Sequence, residues 1–386
     1  MSVYLDWAAT EPMWPEVADV YARTLQVVGN PSSIHRHGQH ARTLIDESRD
    51  TIARLVGADP MEVIFTSGAT ESINTWLKGR AFAHRDSMYP PVLLVPETEH
   101  HATLDAVSWL EKTRFAKVAW VGVDGDGVVA IDQIAEILRS DDDADIAGVT
   151  TLLANNEVGS IQPVADIVSL ARDHGVPVHV DAVGAFGHID VSWREMGLDA
   201  MSISSHKVGG PVGVGALIVS RNAAGFDPLV HGGTQQTHRS GTMDVAGAVA
   251  FAKAVELQLG VMESERTRLS SLRDLLRDGL VASGVDLEVR GSLDNRLPHN
   301  LHITVTGCDG DVLLYLLDEK GISVSTGSAC QAGVPEPSHV LLAMGVGESG
   351  ARGALRFTLG RDTTARDIDR VIDVFPEVAN RALAVG

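Results

Sequence analysis

The sequence predicts an α/β protein: a mostly parallel seven-stranded sheet in a large domain, joined to a smaller α/β domain. Three observations predict it. From Glu62 to Ser220 short apolar runs alternate with stretches of helical periodicity. The runs are continuous rather than alternating, as strands covered on both faces must be. The 386 residues are enough for a sizeable core and more than one domain.

The strand-like runs are, in order, Val63–Thr66, Val92–Val95, Val118–Val121, Ile146–Leu153, Val176–Asp181, Ala200–Ser204 and Gly215–Val219. Between them Glu71–Ala83, Ala102–Lys112, Ile131–Arg139 and Val164–His174 carry the helical period. A stretch without proline, Val245 to Ser283, reads as one or two helices that bridge to the second unit. The remainder reads strand (Asn300–Thr306), helix (Asp311–Lys320), strand (Ile322–Ser325), loop, helix (Ser338–Met344), strand (Ala354–Thr358) and helix (Ala365–Phe375). The division expected is 16–258 for the large domain, and 1–15 with 259–386 for the small domain, which carries the Cys330 loop.

Hydrophobic content of 44% and charged content of 21% are those of an ordinary globular protein. With 31 basic and 51 acidic residues the net charge is −20, which argues against direct binding to nucleic acid or to an anionic membrane. The two cysteines, Cys308 and Cys330, are too few for a disulfide framework. The start, Met-Ser-Val-Tyr-Leu-Asp-Trp, has neither a basic nor an apolar signal region, and no apolar run is expected to span a bilayer. The cytoplasm is the expected compartment, where thiols stay free.

The chemistry starts at Lys207. It ends the apolar run before the glycine-rich Gly209–Gly215, and Asp181 ends the run before that. A lysine amine and a carboxylate on successive strand ends are what pyridoxal 5'-phosphate needs. The amine bonds the aldehyde, and the acid keeps the pyridine nitrogen protonated. Phe65–Ser72 follows a strand and opens a helix. Its small residues suit either a plain cap or a phosphate at the helix N-terminus. The adjacent His100 and His101 lack the carboxylate or cysteine spacing of a metal site. They are either a surface pair or an imidazole against a flat ring, moving protons near neutral pH. Leu153–Gly159 is either an Asx-capped turn or a source of amides for a phenolic oxygen. His231–Thr242 is either a plain loop or a way to offer Thr242 to a phosphate. Cys330 lies among small residues in Ser325–Gly333, placed as a nucleophile, whereas Cys308 at a strand end reads as a bystander. Arg356 inside an apolar strand needs an anion: a substrate carboxylate or a protein acid.

In one order along nearly the whole chain, Tyr4–Thr10, Gly29–Ser33, Thr66–Ser72, Thr98–His100, Asn155–Gly159, His179–Ala182, Ser205–Lys207, Arg239–Thr242, Gly327–Cys330 and Leu355–Phe357 resemble the motifs of cysteine desulfurases of the NifS/IscS type. These belong to the class V aminotransferases, the fold type I of pyridoxal-phosphate-dependent transferases. The resemblance implies that Lys207 holds the cofactor, His100 stacks on it, Asp181 pairs with its nitrogen and Asn156 sits near its phenolic oxygen. It implies that Ala69, Thr70, Ser204 and His206 bind the phosphate, and that Thr242 reaches the phosphate of a second subunit in a homodimer with shared active sites. Arg356 would take the carboxylate of L-cysteine with Asn30 and Asn156 as helpers. Cys330 would attack the substrate sulfur, leaving alanine and a persulfide for an acceptor protein, as in iron–sulfur cluster assembly. Selenocysteine lyase and cysteine-S-conjugate β-lyase activity on the same fold stand as alternatives. Two departures stand out. Gly184 occupies the position of a family glutamine that donates to the phenolic oxygen. The loop Gly232–His238 lacks one residue and the first arginine of the family pattern.

Overall fold

The computed structural model describes residues 2–87, 89–140, 145–223, 225–233, 235–236, 238–327 and 337–384. The chain runs β1 (Val3–Tyr4), α1 (Pro15–Thr24), α2 (Arg36–Val56), β2 (Val63–Thr66), α3 (Ala69–Ala83), β3 (Val92–Pro96), α4 (His101–Lys112), β4 (Lys117–Val121) and α5 (Ile131–Ser140). It continues β5 (Ile146–Leu152), α6 (Val164–Asp173), β6 (Val178–Asp181), α7 (Trp193–Met196), β7 (Ala200–Ser204), β8 (Gly215–Val219) and α8 (Val245–Ala282). Then follow β9 (Leu287–Arg290), β10 (Asn300–Val305), α9 (Gly310–Glu319), β11 (Ile322–Ser323), α10 (His339–Ala343), α11 (Glu348–Ala351), β12 (Ala354–Thr358) and α12 (Ala365–Leu383).

All seven expected runs enter one sheet, in the order β2-β8-β7-β6-β5-β3-β4. Strands β3 to β7 pair in parallel, and β8 runs antiparallel to both neighbours, β2 and β7. Every residue of β6 and β7 is buried, which explains why these runs are continuously apolar in sequence. One face packs on α2, α6 and the first half of α8, with Ile45, Ile167 and Phe251 in that core. The other face packs on α3 and α4, through Trp76, Leu77 and Val107.

Helices α1, α2, α7 and α11 have no counterpart in the sequence reading. Helix α2 spans 21 residues with a mostly polar composition, and only the stripe Gly38, Ala41, Ile45, Ser48, Ile52, Ala53 and Val56 is buried. The His35 side chain accepts from Gly38 N at its start, and Gly57, at φ +81°, ends it. Together with α1 it lies along α8.

Helix α8 is one continuous element of 38 residues. Its first half buries Phe251 and Val255 in the large-sheet core, and its second half buries Leu269, Leu276 and Leu280 in a separate core. Part of it reaches a mean hydropathy of 1.5 over 18 residues, long and apolar enough to cross a membrane. That corrects the expectation that no such run exists. Half of that window is buried inside the protein, so its apolar surface serves the core. The second core is built on the antiparallel sheet β12-β10-β9 and the parallel pair β1-β11. Strand β1 thus returns the N-terminus to this smaller unit, and the segment after it runs across the ends of β6 and β7.

Candidate active site

A cavity of about 550 Å³ opens beyond the C-terminal ends of β6 and β7, where ligands of open α/β sheets bind. Asp181 is the last residue of β6, and Lys207 follows β7 by three residues, so register pairing puts the acid and the amine on one wall. Both line the cavity with Ala69, Thr70, His100, Asn156, Gly184, Ser204, His206 and Arg356. Two expected site residues, Asn30 and Thr242, are exposed and not among its lining residues, with Asn30 Oδ1 accepting from Ser32 N at 2.9 Å. Cys330 lies outside the described residues.

The groups on the large-sheet wall are held and electrostatically tuned. The Lys207 amine donates to the carbonyl of Ala8 and, at 3.1 Å, to that of Ala9. Burial, with the Arg356 charge nearby, pulls its pKa down to about 8, so a reactive neutral amine is accessible near neutral pH. Asp181 Oδ1 accepts from Val183 N at 2.9 Å, and burial pushes its pKa up to about 6. Behind it His179 is locked between Thr150 Oγ1 (2.9 Å) and Ser202 Oγ (2.8 Å). Glu99 is also buried, and burial and the Asp181 charge raise it to about 8, so it stays protonated at neutral pH. His100 caps α4, its Nδ1 accepting from Ala102 N at 3.0 Å. Burial and Lys207 lower it to about 4. It is therefore a neutral imidazole throughout the physiological range, and not the near-neutral titrating group the sequence suggested. Burial and Lys207 hold His206 at about 4 as well.

The turn after β5 is Asx-capped, as one of its two sequence readings has it. Asn155 is the Asx cap, its Oδ1 accepting from Glu157 N and Val158 N, while Asn156 lines the cavity. The loop before Thr242 docks onto the edge strand β2. Gln236 Oε1 accepts from Phe65 N at 3.0 Å and its Nε2 donates to Phe65 O at 2.6 Å. Arg239 pairs with Glu71 at 2.8 Å, on the first turn of α3. Cys308 is buried, with its thiol pushed up by burial, as befits a bystander.

The opposite wall belongs to β10 and β12. Arg356 Nη2 is 2.9 Å from Asp6 Oδ1, Nη1 donates to Asn156 O at 2.9 Å, and Nε is buried without a partner. A protein acid therefore does sit on Arg356. His299 Nδ1 and Asn300 Oδ1 in the lining, and both ring nitrogens of His302 outside it, are also buried without protein partners among the described residues. The His299 ring lies 3.9 Å from that of His188, which in turn meets Glu11 at 3.3 Å. Sequence reasoning gave Asp6, His188, His299 and His302 no part here. The only signal was one imidazole just before strand β10 and another within it.

The residues present suit pyridoxal 5'-phosphate. The first turn of a helix has free N–H groups for a phosphate, and Ala69 and Thr70 bring that turn of α3 to the cavity. Gly68, at φ +148°, leaves open space where a side chain would stand. A buried acid and a buried amine complete the set.

A family model, Aminotransferase class-V, matches residues 3–371. The chain belongs to the class-V aminotransferase family. A relative from Mycobacterium tuberculosis, "IscS-like cysteine desulfurase", is 46% identical over 382 residues, covering 98% of this chain and 96% of the relative. Among class-V structures, one titled "NIFS-LIKE PROTEIN" superposes with a TM-score of 0.89 at 32% identity, covering 99% of this chain and 100% of that one. Another, titled "SspA in complex with cysteine", gives 0.79 at 31% identity, covering 93% and 99%.

Proposed function

We propose that the protein is a cysteine desulfurase dependent on pyridoxal 5'-phosphate, converting L-cysteine and a protein thiol into L-alanine and a persulfide. The observation that carries this is the convergence of Lys207, Asp181 and Arg356 on one cavity, with the family membership around it. Lys207 would hold the cofactor, Asp181 its ring nitrogen, His100 its ring face, and Ala69, Thr70, Ser204 and His206 its phosphate. When bound, the cofactor supplies an electron sink for negative charge at the substrate Cα.

The chain's own residues do the rest. Arg356 orients the substrate through its carboxylate, with Asn156, and Asn30 from its exposed position, as helpers. Lys207, with its lowered proton affinity, takes the α-proton and returns one to carbon. Cys330, as thiolate, forms the new S–S bond while the substrate C–S bond breaks. The atoms balance: cysteine loses its sulfur to the thiol and leaves as alanine. The protein acts in the cytoplasm as a homodimer in which Thr242 serves the neighbouring site, and a separate acceptor protein takes the sulfur. The domain division at 16–258 against 1–15 and 259–386 belongs to this reading, and falls within the continuous helix α8.

Mass spectrometry after incubation with L-cysteine and no reductant tests the assignment. A gain of about 32 Da, one sulfur, is expected on Cys330 and not on Cys308. Cys330→Ser should bind cysteine and stall. Undiminished alanine production by that variant would instead indicate a simple lyase that releases sulfide.

A further inference from the structure

We propose that Asp6 is a resident counter-ion of the substrate-carboxylate site, with which every incoming amino acid must share Arg356. The proposal rests on the reading that Arg356 receives the substrate carboxylate. The guanidinium has its two terminal nitrogens engaged, Nη2 by Asp6 and Nη1 by the Asn156 carbonyl, while Nε is sealed in the wall. Arg356 lines the cavity and Asp6 does not, so the acid holds the guanidinium from outside the lining, 2.9 Å from Nη2. A ligand carboxylate therefore meets a guanidinium where an anion is already present.

Asp6 is placed by its main chain. Residue 6 forms a parallel bridge with Thr358, two residues beyond Arg356, and Ala8 N donates to Thr358 Oγ1 at 2.9 Å. The Tyr4 hydroxyl donates to Asp6 O at 2.9 Å. The same segment supplies the carbonyls that hold Lys207. One short strap thus balances both cations of the site, and Asp6 raises the proton affinity of Lys207 that Arg356 lowers. Burying Arg356 without any anion would be costly, so Asp6 stabilises the buried guanidinium. Once a ligand carboxylate arrives, two anions share one cation and repel. Asp6 therefore weakens binding of amino acids while keeping the free enzyme intact.

The test compares L-alanine, which has the α-carboxylate, with ethylamine, which has none. Binding to the cofactor-loaded protein is followed by visible absorbance and by fluorescence of Trp7, which lines the cavity. Asp6→Asn keeps an acceptor for Nη2 and removes the charge. It should tighten L-alanine roughly three- to tenfold, a Coulomb effect discounted for solvent screening, and leave ethylamine unchanged or weaker. Asp6→Glu should stay near wild type. Thermal melting checks the fold, and Asp6→Ser serves if Asp6→Asn is unstable. Unchanged or weaker L-alanine binding in a folded variant, or equal tightening of both ligands, overturns the proposal. Failure of the wild type to bind L-alanine or turn over L-cysteine would instead sink the functional reading beneath it.

Discussion

The two walls of the cavity differ in how far their polar groups are satisfied. On the large-sheet wall Asp181, His100, His206 and Lys207 each have a protein partner. On the wall from β10 and β12, Arg356 Nε, His299 Nδ1 and Asn300 Oδ1 have none among the described residues, and behind the large-sheet wall Glu99 Oε2 shares that lack. An unpartnered buried polar atom costs about 1–3 kcal/mol. The first wall is therefore preorganised, as a permanently held cofactor requires. The second keeps polar capacity in reserve, as a wall meeting a transient ligand would. The charges agree. Burial shifts the large-sheet groups, with His100 lowered to about 4 and Lys207 to about 8, whereas Arg356 is paired with Asp6.

Removing Lys207 should break the first wall completely. Lys207→Ala is expected to lose all multiple turnover and the visible band of the lysine-held cofactor, because anchor and proton carrier are one group. Persisting turnover would refute the assignment. In the cofactor-free protein an amine-reactive probe should label Lys207 with a midpoint near pH 8. The sign follows from burial and Arg356, which disfavour the charged amine, so the neutral form appears at lower pH than in an ordinary lysine. A midpoint above 10 would show that the amine is not desolvated.

Arg356→Ala should break the second wall but leave the first standing. It removes the carboxylate partner and strands Asp6, so kcat/KM for L-cysteine should fall by about 2–5 kcal/mol. The loss should appear mainly in KM, with the visible band of the loaded protein retained. A KM close to wild type would mean that the Asp6 pair is purely structural.

The sequence was unequally informative about the two walls, for a physical reason. The strands leading to Asp181 and Lys207 are buried throughout and read as mostly apolar runs, with Asp181 at the end of one and Lys207 three residues beyond the other. Strand β9 is half exposed and its residues carry charge, so it left no such run. Helix α2 buries only a narrow stripe among charges and histidines. The Asp6–Arg356 pair joins residues 350 positions apart, and local pattern cannot report it. His299 matters only because the chain entering β10 faces the cavity. Asn155 and Asn156 were legible as a pair, but the division of labour between them depends on a turn conformation.

The smallest expected effect probes Gly184, where the family resemblance implies a glutamine. Gly184 lines the cavity. A Cβ there would meet Asn156 Cβ at 3.7 Å and Ala154 O at 3.8 Å, ordinary contacts, and the residue does not adopt the left-handed conformation that would reserve it for glycine. Gly184→Gln should therefore be accommodated without strain, with little change in melting temperature. If the resemblance is right about what stands there, the new amide donates to the phenolic oxygen and favours its anion. The pH midpoint of the visible band should then move down by up to about one unit, since one unit corresponds to about 1.4 kcal/mol and a hydrogen bond to a charged group is worth about that. Turnover of L-cysteine should change only a few-fold, because Lys207 and Arg356 are untouched. An unmoved midpoint would show that this wall is already complete, with the neighbouring Asn156 or a water donating in place of the glutamine. The contrast between a finished wall and a waiting one would then be sharper than the sequence departure at Gly184 suggests.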